Sequence, residues 1–137
     1  MILVVDTSVL VEVLINQAGT GPLRRRLFAD GQTLCAPALM RLETLDVLRK
    51  LARSNRIPET TAHMAFANFV RLPMHYYSEE ALVRRIWTLR HNVTAYDAAY
   101  VALAETLNAT LLTRDQRLAS ASGTRATIEF VPLTATA

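Results

Sequence analysis

Short, unbroken apolar runs alternate along this chain with longer stretches in which apolar residues return at helical spacing. The first run, Ile2-Leu3-Val4-Val5, is rich in branched residues, as suits a strand buried on both faces. A helix is expected from about Ser8 to Ile15, then a turn at Gly19 and Gly21. A short helix over Leu23 to Ala29 should stop at Asp30-Gly31. Thr33 to Ala36 reads as the second strand. Pro37 suits the first turn of a helix whose Leu39, Leu42, Leu45, Leu48 and Leu51 are expected to form its core stripe. A further helix is expected from Pro58 to about Val70, and Arg71 to Tyr76 holds a short strand interrupted by Pro73.

Ser78 is placed to cap the next helix, with Glu79 and Glu80 in its electropositive first turn and Leu82, Ile86 and Leu89 facing inward. Thr94 opens a helix rich in alanine (Ala95, Ala98, Ala99, Ala102, Ala104), which permits close packing on a sheet. Ala109 to Thr113 and Thr127 to Val131 read as the last two strands. Alternating strands and helices imply a mostly parallel sheet with helices on both faces. No repeat, low-complexity tract or linker interrupts the pattern, so a single domain over residues 1–137 is expected.

In such sheets the working crevice lies at the carboxyl ends of the strands. Asp6 and Asp115 come directly off two of those ends, and Asp97 sits in the first turn of the Thr94 helix at the same edge. Glu43 lies between one and two turns into the Pro37 helix, and its longer side chain is expected to reach back. Carboxylates are costly to gather in a half-buried cleft unless a cation compensates them. The chemistry that fits is metal-assisted hydrolysis. Each acid also has a plain local alternative. Asp6 and Asp115 could cap the helices that follow them. Asp97 completes a capping box with Thr94, and Glu43 could sit on a solvated flank. Glu12 and Asp46 are the nearest further acids. A solvated face is the better reading for both.

Other chemistries lose support. His63, His75 and His91 show no close ligand pairing, so zinc is disfavoured and an oxygen-only site points to Mg2+ or Mn2+. No nucleophile elbow, dinucleotide fingerprint or P-loop occurs. A dehalogenase-type phosphatase would want an acid where Ser8 stands, and a receiver domain would want a lysine after its last strand. Ser8, Thr7 and Thr113 are candidate orienting partners for the carboxylates.

The net charge is +3, too mild by itself to indicate nucleic acid. Fourteen of the fifteen basic residues are arginine, which codon bias in a GC-rich genome explains better than phosphate binding. Arg114 and Arg117, flanking Asp115, are the candidate phosphate contacts. Arg24-Arg25-Arg26 reads as a solvated face. The single cysteine, Cys35, and an opening that reads as a strand and not a signal peptide fit a cytoplasmic protein. No apolar run is long enough to span a membrane.

Four segments in order carry a resemblance: Val4-Val5-Asp6-Thr7-Ser8-Val9-Leu10, Pro37-Ala38-Leu39-Met40-Arg41-Leu42-Glu43, Thr94-Ala95-Tyr96-Asp97-Ala98-Ala99-Tyr100, and Leu111-Leu112-Thr113-Arg114-Asp115-Gln116-Arg117-Leu118. With them the chain resembles the PIN-domain ribonucleases, especially the toxin half of VapBC toxin–antitoxin pairs. The resemblance implies a three-layer α/β/α sandwich and Mg2+- or Mn2+-dependent endoribonuclease activity. It further implies a homodimer and inhibition by a small VapB-like antitoxin. It assigns metal binding and catalysis to Asp6, Glu43, Asp97 and Asp115. One departure is visible: Asp46 stands where these proteins often carry Asn. The rival from another class is a non-catalytic acid-pocket module binding RNA or protein. Met64, Phe66 and Phe69 carry more apolar surface than one helix face needs, and are expected either in the core or on a dimer or antitoxin surface.

Overall fold

A computed structural model describes residues 1–132. Strand β1 (Ile2–Val5) lies at the centre of the sheet, and Leu3, Val4 and Val5 are fully buried. Its neighbours are β2 (Thr33–Pro37) and β4 (Thr110–Thr113), with Val4 opposite both Cys35 and Leu111. The edges are β3 (Met74–Tyr77) and β5 (Thr127–Phe130). The order is β3-β2-β1-β4-β5, and every pairing is parallel. Burial follows position. The three inner strands are nearly sealed, while β3 and β5 alternate or stay half open.

Helices cover the sheet as a three-layer α/β/α fold. Helix α1 (Thr7–Ile15) packs with α3 (Met40–Arg53) and α4 (Glu59–Phe69). Helix α6 (Ala95–Leu107) lies on β1, β2 and β4 and also meets α5 (Val83–Thr88). The alanines expected to let α6 approach closely do so: Ala98, Ala99, Ala102 and Ala104 are all buried. The Thr94 hydroxyl accepts from the Asp97 amide at 3.1 Å, and Asn108 in the left-handed region ends the helix. Ser78 likewise caps its segment, which opens as a 3-10 turn over Glu79–Leu82 before α5. Helix α2 (Gly21–Leu27) starts earlier than the sequence suggests, because Pro22 takes its first turn.

The leucine stripe differs from expectation. Pro37 is the last residue of β2, paired with Tyr77, and α3 begins only at Met40. Its buried residues are Met40, Thr44 and Leu48, while Leu42 is 74% and Leu45 40% exposed. Strict three-residue spacing drifts by about 60° per step on a helix of 3.6 residues per turn, so five leucines cannot share one face. On α4, Phe69 is core, but Met64 and Phe66 remain exposed.

The three arginines of α2 are also less idle than a solvated face implies. Arg24 donates to the Val13 carbonyl at 3.0 Å, and Arg26 pairs with Glu129 on β5. Among the described residues no helix is long and apolar enough to cross a membrane.

Candidate functional site

The parallel sheet delivers Asp6 and Asp115 to its carboxyl edge by the shortest route, each following a buried strand. Asp6 occupies the cap position of α1 but makes no side-chain cap bond. Its Oδ2 instead accepts from Thr113 Oγ1 at 2.7 Å and from Ser8 Oγ at 2.9 Å. Those two hydroxyls are themselves held, accepting from the amides of Asp115 and Arg114. Two strand ends are thereby laced together around one carboxylate oxygen. Asp115 does both things the sequence allows. Its Oδ1 caps α7 (Gln116–Ala119) through the Arg117 amide at 2.9 Å, and its side chain lines the cleft.

Glu43 stands in the first turn of α3, because the helix begins three residues later than Pro37. No long reach is needed. Its Oε1 accepts from Tyr100 at 2.6 Å and from Thr7 at 3.1 Å. Tyr100 is fully buried on α6, one turn beyond Asp97. Tyr100 is assigned no role by the sequence alone. The available signal was its spacing of three from Asp97, on the helix face turned to the same edge.

Burial raises the carboxyl pKa of Asp6, Glu43 and Asp97, and the acids raise one another. Asp6 feels Asp115, Glu43 feels Asp6 and Asp97, and Asp97 feels Asp6 and Asp115. Arg117 offsets this only slightly at Asp97. The cluster is therefore short of positive charge, and its donors are oxygens alone, which is the chemistry a hard divalent cation satisfies. Among the described residues no three acid, histidine or cysteine side chains lie close enough together to hold a metal ion as they stand. Asp97 and Asp115 line a cleft of about 170 Å3 together with Thr94 and Arg117, while Asp6 and Glu43 lie outside its walls. A larger cavity of about 500 Å3 lies at the opposite edge, beside Glu105 and the starts of β4 and β5. Its acid is already paired with Arg85 at 2.7 Å, so it lacks the charge imbalance of the cleft.

The neighbouring charges are distinct in role. Glu12 spends one oxygen on Arg114 at 2.9 Å and the other on Asn16 at 2.9 Å. Arg114 is thus an ion-paired, largely buried side chain and not an open phosphate contact, because Glu12 neutralises it. Arg117 is 96% exposed at the cleft wall and remains available to a ligand. Asp46 is tied to Arg49 and Lys50 on the outside of α3, so it adds no charge to the cleft.

A parallel α/β/α sandwich with acids gathered at its carboxyl edge places the molecule in a definite class. The PIN domain model matches residues 3–123, and the chain belongs to the PIN-domain family. Within that family its relatives are VapC ribonucleases. Ribonuclease VapC9 of Mycobacterium tuberculosis is 37% identical over 130 residues, covering 95% of this chain and 98% of the relative. Ribonuclease VapC12 of the same species is 34% identical, with 94% and 98% covered. VapBC2 from Rickettsia felis, whose crystal structure was solved bound to a DNA fragment from the promoter, matches with a TM-score of 0.70. It covers 95% of this chain and 98% of its own at 15% identity, a likeness of fold.

Proposed function

We propose that this PIN-domain protein is a Mg2+- or Mn2+-dependent endoribonuclease and the toxin of a type II toxin–antitoxin pair, held inactive by a small VapB-like antitoxin. The observation that carries the reading is the uncompensated cluster of Asp6, Glu43, Asp97 and Asp115 at one sheet edge, with hydroxyl donors fixing the orientation of two of its members. The ribonuclease relatives support it over a non-catalytic acid pocket.

The four carboxylates would hold the cation, which when bound supplies Lewis-acid activation of water and charge stabilisation at the phosphodiester. The rest is work for the chain itself. Ser8 and Thr113 orient Asp6, and Thr7 and Tyr100 orient Glu43. Arg117 contacts a backbone phosphate. The Arg114–Glu12 pair steadies the segment between Thr113 and Asp115. Exposed Met64 and Phe66 on α4, with Leu45 on α3, form the surface for the antitoxin or for a second copy in a homodimer. The compartment is the cytoplasm, where RNA and antitoxin are met.

The direct test is Mn2+-dependent cleavage of RNA by the purified chain. In parallel, saturating Mn2+ should raise the thermal midpoint of the wild type, since about 2.7 kcal/mol is gained at a hundred times the dissociation constant. Asp97→Asn removes one ligand charge at nearly constant shape and should respond far less. Equal responses would reject the site. Arg117→Ala should weaken RNA binding several-fold and lower the salt slope by roughly 0.7, the share of one phosphate on a single strand. An unchanged slope would remove Arg117 from the interface.

A further inference from the structure

Glu43 is the one acid of the cluster that does not come from a strand end or from α6, so something must fix its distance from Asp97. The sheet cannot, because α3 is joined to β2 through Ala38 and Leu39 and carries Glu43 on its own axis. Two hydroxyls span the gap. Tyr100, on α6, reaches Glu43 Oε1 at 2.6 Å. Thr7, the first residue of α1, reaches the same oxygen at 3.1 Å and the Tyr100 hydroxyl at 2.7 Å. The three groups close a small ring that joins three helices.

We infer that Tyr100, backed by Thr7, is a positioning residue that holds Glu43 in its ligating orientation, so that cation affinity depends on a buried hydroxyl that never touches the cation.

The proton count supports this. Ionised Glu43 only accepts, and each hydroxyl has one proton. With Tyr100 donating to Glu43, Thr7 directs its proton to the Tyr100 oxygen or to Glu43. In either case both hydroxyls favour a charged Glu43, and a donor that itself accepts a hydrogen bond is a stronger donor. Both bonds fall on Oε1, while Oε2 has no hydrogen-bond partner among the described residues. One oxygen is thus an anchor and the other is left for a ligand. Asp6 is held in a similar way, since the two hydroxyls that donate to it, from Ser8 and Thr113, meet at Oδ2.

Burial explains why a tyrosine serves here. Tyr100 is 1% exposed and Thr7 is 7% exposed, so water does not compete for Glu43 from that side. Tyr100 also ties the position of Glu43 to that of Asp97, because both are set by the same rigid helix, three residues apart. A phenylalanine would fill the space and keep the helix packing but would leave Thr7 alone to hold Glu43.

This inference rests on the metal-dependent reading of the acid cluster. The experiment is calorimetric titration of Mn2+ into the purified protein without RNA, at a temperature well below every variant's melting point. Tyr100→Phe should weaken Mn2+ binding by about tenfold, the lower end of what loss of a partner behind a ligand costs. Thr7→Val should weaken it by a smaller factor, and Thr7→Ser, which restores the hydroxyl, should bind as the wild type does. A role in stability alone would lower the melting point and leave the dissociation constant unmoved. Wild-type Mn2+ binding with an unchanged constant in Tyr100→Phe overturns the inference and leaves the proposed function standing. Absence of Mn2+ binding in the wild type overturns both. Should Tyr100→Phe fail to fold, Thr7→Val and Thr7→Ser carry the same comparison, and equal constants in those two overturn the inference.

Discussion

Asp6→Asn is expected to abolish RNA cleavage, a loss of at least roughly a thousandfold or about 4 kcal/mol of transition-state stabilisation, while making the metal-free protein more stable. The two effects share one cause. Asp6 is nearly buried, and burial is the largest influence raising its carboxyl pKa, with Asp115 adding repulsion. The ionised side chain is thus a cost to the fold that two hydroxyls only partly offset. An asparagine keeps the shape, and its carbonyl oxygen can still accept from Thr113 and Ser8. It removes the charge that makes the cluster useful. In chelator, the variant should melt about 2–5 °C above wild type, the shift for roughly 1 kcal/mol in a chain of this size. Rates of cleavage with Mn2+ and melting curves with chelator check both halves. Wild-type cleavage by the folded variant would end the hydrolytic mechanism. A lower melting point would show that Asp6 is structural.

The second large effect is expected at the opposite edge of the sheet. Glu105 is only 9% exposed and accepts from Arg85 at 2.7 and 2.9 Å and from the Arg125 amide at 2.7 Å. It fastens α5 and the segment before β5 to the end of α6. Glu105→Ala leaves Arg85 only the Gly123 carbonyl and should cost about 2–4 kcal/mol of stability, or roughly 10 °C in melting point. Activity per folded molecule should not change, because the acid cleft is at the other end. The same contact has a pH signature. Arg85 holds the folded-state pKa of Glu105 below the ordinary value of 4.5. A depressed folded pKa means the stabilisation is complete above the unfolded value and fades as pH falls through the folded one. Wild type should therefore lose its advantage over Glu105→Ala below about pH 4.5. Denaturant melts of both proteins at pH 7 and in that acid range measure the gap. A gap under about 1 kcal/mol at pH 7 would place the pair among ordinary surface contacts.

What the sequence made legible was local. Ile2–Val5 announces a doubly buried strand by four apolar residues in a row, and Thr94 announces α6 by a hydroxyl three residues before Asp97. Because a parallel sheet fixes which edge strand ends and helix starts share, the gathering of Asp6, Asp97 and Asp115 followed from topology. What stayed hidden depends on partners far apart in the chain. Arg114 looked like a phosphate contact because its neighbour Asp115 is visible in sequence, whereas Glu12 is not adjacent to it except in space. Tyr100 stood out in no way, because its hydroxyl meets Glu43 across 57 residues. The α3 stripe was misread for a different reason. Moving the helix start from Pro37 to Met40 turns its inward face, and repeated three-residue spacing cannot say which leucines win.

The order of the strands has a consequence for how the fold comes into being. Strand β1 is the middle of the sheet, and it waits for β4, more than a hundred residues later, to cover its second side. The acids arrive on the same schedule, at residues 6, 43, 97 and 115. A partly made chain lacks Asp115, the strand that presents it and the hydroxyl of Thr113 that orients Asp6. Pairing across so long a loop is slow as well as late. A growing chain therefore completes its acid cluster only after β4 has been made.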